Sequence, residues 1–126
     1  MIKLLHVEDD EDIREITMLA LALSGEFEVL QCDSGEEGLK AVDGFQPDVL
    51  LMDMMMPGMS GKEMLEFIRE KPAFANTPAI FMTARAQHGE REALLETGAA
   101  AVISKPFDPT TLGEQVKAAM SKAKEG

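Results

Sequence analysis

Val49-Leu50-Leu51-Met52-Asp53-Met54-Met55-Met56-Pro57-Gly58-Met59-Ser60-Gly61-Lys62-Glu63 is the stretch that decides the fold. The four apolar residues at its start are too few for a helix and suit a strand buried on both faces, as strands of parallel sheets are. The run ends on a carboxylate, Asp53. Pro57 and Gly58 mark a turn. Ser60, with Glu63 three residues on, forms a capping box, in which a hydroxyl and a carboxylate each accept a backbone N–H at a helix start. A strand, a polar loop and a helix therefore succeed one another within this segment.

The same unit recurs on both sides. Short apolar runs bounded by turn residues lie at Leu4–Val7, Phe27–Cys32, Ala79–Met82 and Ala101–Ile103. Between them, Ile13, Ile16, Ala20 and Leu23 are spaced to form one apolar stripe on a helix that Gly25 ends. A second helix opens at Ser34 with Glu37, again a capping box. A fourth is expected from about Gln87 to Thr97, stopped by Gly98. A fifth is expected to start with Asp108 as cap and Pro109 in the first helical position. The reading is (βα)5, an α/β protein of the flavodoxin-like kind. Its parallel sheet is expected in the order 2-1-3-4-5, with right-handed crossovers and helices on both faces.

With 126 residues the chain suits one domain, read as residues 1–122 with a polar tail at 123–126. Twelve Lys and Arg against 23 Asp and Glu give a formal charge of -11, which repels nucleic-acid phosphates and anionic membrane surfaces. No direct nucleic-acid or membrane partner is expected. No apolar run approaches the roughly 18 residues of a spanning helix, and the N-terminus does not read as a signal peptide, so the expected location is cytoplasmic. The lone Cys32 has no internal disulfide partner and reads as structural.

Chemistry-bearing residues gather where the apolar runs end: Glu8, Asp9 and Asp10 after the first, Asp53 after the third, Thr83 after the fourth and Lys105 after the fifth. In open α/β sheets ligands bind beyond these carboxyl ends. With neighbouring strands about 4.8 Å apart, Asp53 is expected beside Asp9 on one side and Thr83 on the other, with Lys105 long enough to reach across from two strands away. Grouped carboxylates need a cation. A few carboxylate oxygens, with positions left for water and phosphate, suit Mg²⁺. The ion would neutralise an incoming phosphoryl donor, with Asp53 as nucleophile forming an aspartyl phosphate. Lys105 then serves as a mobile point charge and Thr83 as a hydroxyl donor, neither acting as a base. Asp10 reads as the cap of the first helix.

These residues carry a resemblance. Val7-Glu8-Asp9-Asp10, the loop Asp53 to Gly61, Thr83-Ala84 and Lys105-Pro106-Phe107 together resemble the receiver domain of two-component response regulators, over essentially the whole chain. The resemblance implies Mg²⁺ on the Asp9 and Asp53 side chains and the Met55 carbonyl, with Glu8 acting through water. It also implies a cis Lys105–Pro106 bond and phosphorylation from a sensor histidine kinase or a histidine phosphotransfer protein. A downstream target, or an output domain beyond this segment, would receive the signal, with phosphorylation-dependent dimerisation left open. No enzyme activity is implied beyond the domain's own phosphotransfer and dephosphorylation.

One departure from the family pattern stands out. Where many receivers place an aromatic ring that swings as the threonine moves, this chain has Val102, which excludes that relay. Met55 and Arg85, two residues after Asp53 and Thr83, occupy positions that tune phosphate lifetime in the family. The run Met52, Met54, Met55, Met56 and Met59 lacks a nearby Cys or His and reads as packing or contact surface rather than a soft-metal site. His6 and His88 are too isolated for metal spacing. Two rival readings remain: a pseudo-receiver that binds without a phosphate cycle, and a small Mg²⁺ phosphatase, for which no second acid–base residue is evident.

Overall fold

The computed structural model describes residues 1–84 and 89–125. Five strand–helix units follow in order: β1 (Ile2–Val7), α1 (Glu11–Ala22), β2 (Phe27–Cys32), α2 (Gly35–Phe45), β3 (Val49–Asp53), α3 (Gly61–Arg69), β4 (Ala79–Thr83), α4 (Glu90–Glu96), β5 (Ala101–Ser104) and α5 (Leu112–Glu125). A 3-10 turn, Pro72–Phe74, precedes β4. All strand pairs are parallel, in the order β2-β1-β3-β4-β5. This is the expected flavodoxin-like topology.

The starts of α1, α2 and α3 follow their expected capping residues, although at α2 only the Ser34 half of the expected capping box is formed. Ser34 Oγ accepts the Glu37 N–H at 3.2 Å, and at α3 the Ser60 and Glu63 side chains each accept the other's backbone N–H at 3.1 Å. Asp10 caps α1, its Oδ1 accepting from Asp12 N at 2.9 Å and Ile13 N at 3.2 Å. Gly98, at φ 94°, follows the end of α4, in a conformation that favours glycine. The expected start of α4 near Gln87 lies outside the described residues.

Two elements differ from expectation. On α1 the buried residues are Thr17, Ala20 and Leu21, whereas Ile16 and Leu23 are 47% and 70% exposed. The stripe is rotated because Leu21 and Ala20 present a second apolar row one position round the helix, and that row faces the sheet. The fifth helix starts at Leu112 rather than Pro109. Asp108 Oδ1 accepts the Thr110 N–H at 2.9 Å and its hydroxyl at 2.7 Å, so the aspartate closes a local turn two residues on and the helix begins after it. At its other end α5 runs on to Glu125, so residues 123–125, read as tail, continue the helix.

Side chains alternate across each strand and build two cores. Leu5, Val7, Leu50, Met52, Phe81 and Val102 pack under α2, α3 and α4. Leu4, Leu51, Ile80, Met82 and Ile103 pack under α1 and α5. Gly61 brings α3 onto the end of β3: a Cβ there would lie 2.3 Å from the Asp53 carbonyl oxygen. Only glycine permits that approach, and it sets the loop that leaves Asp53.

Candidate functional site

Register brings the acidic residues together. Val7 pairs with Met52, so Glu8 lies beside Asp53 one step beyond the last paired residues of β1 and β3. Asp53 pairs with Met82, and Thr83, the last residue of β4, pairs with Ser104, just before Lys105. Carboxylate oxygens of Glu8, Asp9 and Asp53 lie within 4.8 Å of one another. Glu8, Asp53 and Thr83 are buried, while Asp9 is exposed at the rim.

Lys105 crosses the pocket as its length suggested, but its shorter contact is with another residue than expected. Its Nζ lies 2.6 Å from Glu8 Oε1 and 3.2 Å from Asp53 Oδ1. Glu8 is thus a direct partner of the lysine. Its second oxygen accepts the Asp10 N–H at 3.2 Å. Asp53 Oδ1 also accepts the Met55 N–H at 3.3 Å, which folds the loop back over the carboxylate. The Lys105–Pro106 bond is cis, in line with the resemblance.

The charges explain the titration of the pocket. Burial pushes Glu8 up to about 7, its bond to Lys105 opposes the rise, and contact with Asp53 adds to it. Burial also works against the Lys105 ammonium, but its bond to Glu8 and the pull of Asp53 outweigh that and raise its pKa. Three carboxylates and one ammonium leave the pocket short of positive charge. The donors are all hard oxygens, two of them buried, and such a set suits a small divalent cation such as Mg²⁺.

A cleft of about 230 Å³ opens from the site, lined by Met54, Met55, Lys62, Thr83, Glu90 and Leu94. A larger cavity, about 660 Å³, lies instead at the amino ends of β4 and β5 against Arg69, Asn76 and Lys122, away from the acidic pocket. Chemistry, not size, marks the site. Arg85 and His88 lie outside the described residues. His6 is buried in β1, and burial lowers its pKa to about 3, with Lys105 and Arg14 adding to the effect, so it stays neutral. Among the described residues no Cys or His joins the metal-capable group.

Sequence reasoning missed Arg14. Its Nη1 donates to the Glu8 carbonyl at 2.8 Å and the Asp9 carbonyl at 3.1 Å. The available signal was a charged residue one turn before Thr17, on what proves to be the inner side of α1.

The sequence profile of the response regulator receiver domain matches residues 4–117. The chain belongs to the response regulator receiver domain family. Relatives of this receiver domain include the phosphate regulon transcriptional regulatory protein PhoB of Escherichia coli K12, 32% identical over 118 residues, covering 94% of this chain and 51% of that protein. The transcriptional regulatory protein CseB of Streptomyces avermitilis is 38% identical over 116 residues, covering 92% of this chain and 48% of that one. The receiver domain thus spans about half the length of these curated relatives. The chemotaxis response regulator CheY4 of Vibrio cholerae superposes with a TM-score of 0.87 at 28% identity, covering 94% of this chain and 98% of that one. Receiver domains of two-component systems bind Mg²⁺ at an acidic pocket and interact with histidine kinases and downstream targets. Among the described residues no helix is long and apolar enough to cross a membrane.

Proposed function

We propose that Asp53 accepts a phosphoryl group from the phosphohistidine of a sensor histidine kinase or a histidine phosphotransfer protein, and that the phosphorylated domain signals through altered protein contacts. The observation that carries this reading is the Lys105 ammonium lodged between Glu8 and Asp53 inside a three-carboxylate pocket. A purely structural ion pair needs one carboxylate, not three.

The Asp53 and Asp9 side chains and the Met55 carbonyl would hold Mg²⁺, with Glu8 acting through water. When bound, the ion supplies charge neutralisation to the donor phosphate. An Asp53 carboxylate oxygen attacks phosphorus as the bond to the histidine nitrogen breaks. Lys105 then follows the charge from the carboxylate to a phosphoryl oxygen, and the Thr83 hydroxyl donates to another. Glu8 keeps the lysine aimed at the pocket, since its bond is the shorter of the two. The domain catalyses only its own phosphotransfer and dephosphorylation and acts in the cytoplasm.

Val102 is 3% exposed and carries no ring, so the response to phosphorylation runs through Thr83 and the charge added at Asp53. The exposed apolar side chains Ile16 and Leu19 of α1, with Leu23 just past its end, offer a surface for the kinase or phosphotransfer protein. Bulky Met55, 61% exposed over the cleft, shields the acyl phosphate from water. Intact-mass measurement after incubation with acetyl phosphate tests the proposal. One phosphoryl adduct is expected with Mg²⁺ and none with a chelator. No adduct under either condition favours a pseudo-receiver, and steady turnover of an added phosphate ester favours a phosphatase.

A further inference from the structure

A chain of hydrogen bonds reaches the acidic loop from behind. Arg14 Nη1 binds the carbonyls of Glu8 and Asp9 at 2.8 and 3.1 Å. The Arg14 carbonyl accepts from Gln31 Nε2 at 2.7 Å, and the same nitrogen lies 3.1 Å from His6 Nδ1. An amide nitrogen carries two hydrogens, so Gln31 serves both partners and His6 holds its proton on Nε2. Loop, α1, β2 and β1 are thereby tied together.

The two carbonyls belong to the peptide planes on either side of the Asp9 Cα. Fixing both planes fixes the backbone dihedrals of Asp9 and so the direction of its Cα–Cβ bond. Asp9 is exposed, in contrast to buried Glu8 and Asp53. The guanidinium supplies from behind the order that packing gives the other two carboxylates.

We propose that Arg14 is a positioning residue, holding the loop so that the Asp9 carboxylate points toward Asp53, with Gln31 and His6 holding Arg14 in turn. This rests on the reading of Asp9 as a metal ligand. Charge and geometry make opposite demands here. A cation near a cation site weakens metal binding by repulsion, so removing the Arg14 charge alone tightens it. Removing a tether loosens it. The sign of the change therefore separates the two.

The test is Mn²⁺ affinity of the full chain, read by electron paramagnetic resonance, together with hydrogen exchange of the metal-free protein. Arg14→Met is expected to weaken Mn²⁺ binding about tenfold, in the range found when outer partners of metal ligands are lost, and to speed amide exchange across residues 8–12. Arg14→Lys, which keeps the charge and reaches one carbonyl, is expected to recover part of the affinity. Should Arg14→Met fail to fold, Gln31→Leu decides: it leaves the guanidinium in place and is expected to weaken binding in the same direction by a smaller factor. Equal or tighter Mn²⁺ binding in the folded variants overturns the role of Arg14. A wild-type chain that binds no Mn²⁺ overturns the reading of the pocket instead.

Discussion

The two faces of the sheet are built differently. Under α2, α3 and α4 the interior of the sheet presents apolar side chains, with Phe81 the largest of the fully buried residues, and polar ones enter only near strand ends, such as Lys3 and Thr83. Under α1 and α5 the same alternation puts buried His6 and half-buried Gln31 among Leu4, Leu51 and Ile80, opposite the buried Thr17 of α1. His6 Nε2 and Thr17 Oγ1 have no hydrogen-bond partner among the described residues. One face is close apolar packing in its interior. The other gives up some of that packing for polar bonds that lead to the acidic loop.

The largest effect should come from the apolar face. Phe81→Ala leaves a cavity among residues that cannot relax to fill it, and is expected to lower unfolding free energy by about 3–5 kcal/mol in urea titrations. A loss below about 1 kcal/mol would show that this face is not tightly packed. Gly61→Ala connects that face to the site. Its Cβ would collide with the Asp53 carbonyl, so a loss of about 1–3 kcal/mol is expected together with slower phosphorylation by acetyl phosphate. Unchanged phosphorylation would separate loop geometry from reactivity.

The polar face should show itself in pH dependence. His6 has a folded pKa of about 3 against an ordinary 6.5, so the unfolded chain binds its proton first and stability falls as pH drops from 6.5 toward 3. Glu8 runs the other way. Its folded pKa of about 7 exceeds the ordinary 4.5, so its contribution to stability grows as pH falls from 7 to 4.5. In metal-free protein the two oppose each other between 4.5 and 6.5. His6→Val is expected to unmask Glu8, so that the variant gains stability relative to wild type on acidification, by up to about 1.4 kcal/mol per pH unit for one proton. Glu8→Gln is expected to do the reverse. Parallel profiles for both variants and wild type would remove the distinction between the faces. The smallest effect is expected at Lys40 on the outside of α2, whose pair with Glu37 is 3.5 Å long and largely exposed. Lys40→Ala should change stability by less than about 0.5 kcal/mol.

What could be read from sequence follows the range of each interaction. The strands and the capping residues Asp10, Ser34 and Ser60 are encoded by neighbours in the chain, and they stand where expected. The buried side of α1 depends on which of two adjacent rows the sheet selects, so the spacing of Ile16 and Leu23 points inward while both side chains lie outward. Asp108 carries a cap signature, but the same side chain also closes a turn, and only the fold decides between the two. The direct Glu8–Lys105 contact and the Arg14–Gln31–His6 chain depend on residues brought together across the sheet, and no local pattern marks them.

The central claim is that Asp53 is the phosphoacceptor, and borohydride trapping tests it most directly. An acyl phosphate is reduced at the carbonyl carbon, converting the aspartate to homoserine, which peptide fragmentation locates. After treatment with acetyl phosphate and Mg²⁺, the account predicts homoserine at position 53 alone, and no adduct in Asp53→Asn. Homoserine at another aspartate of the wild-type chain, or a phosphoryl adduct retained at wild-type level in Asp53→Asn, would contradict it.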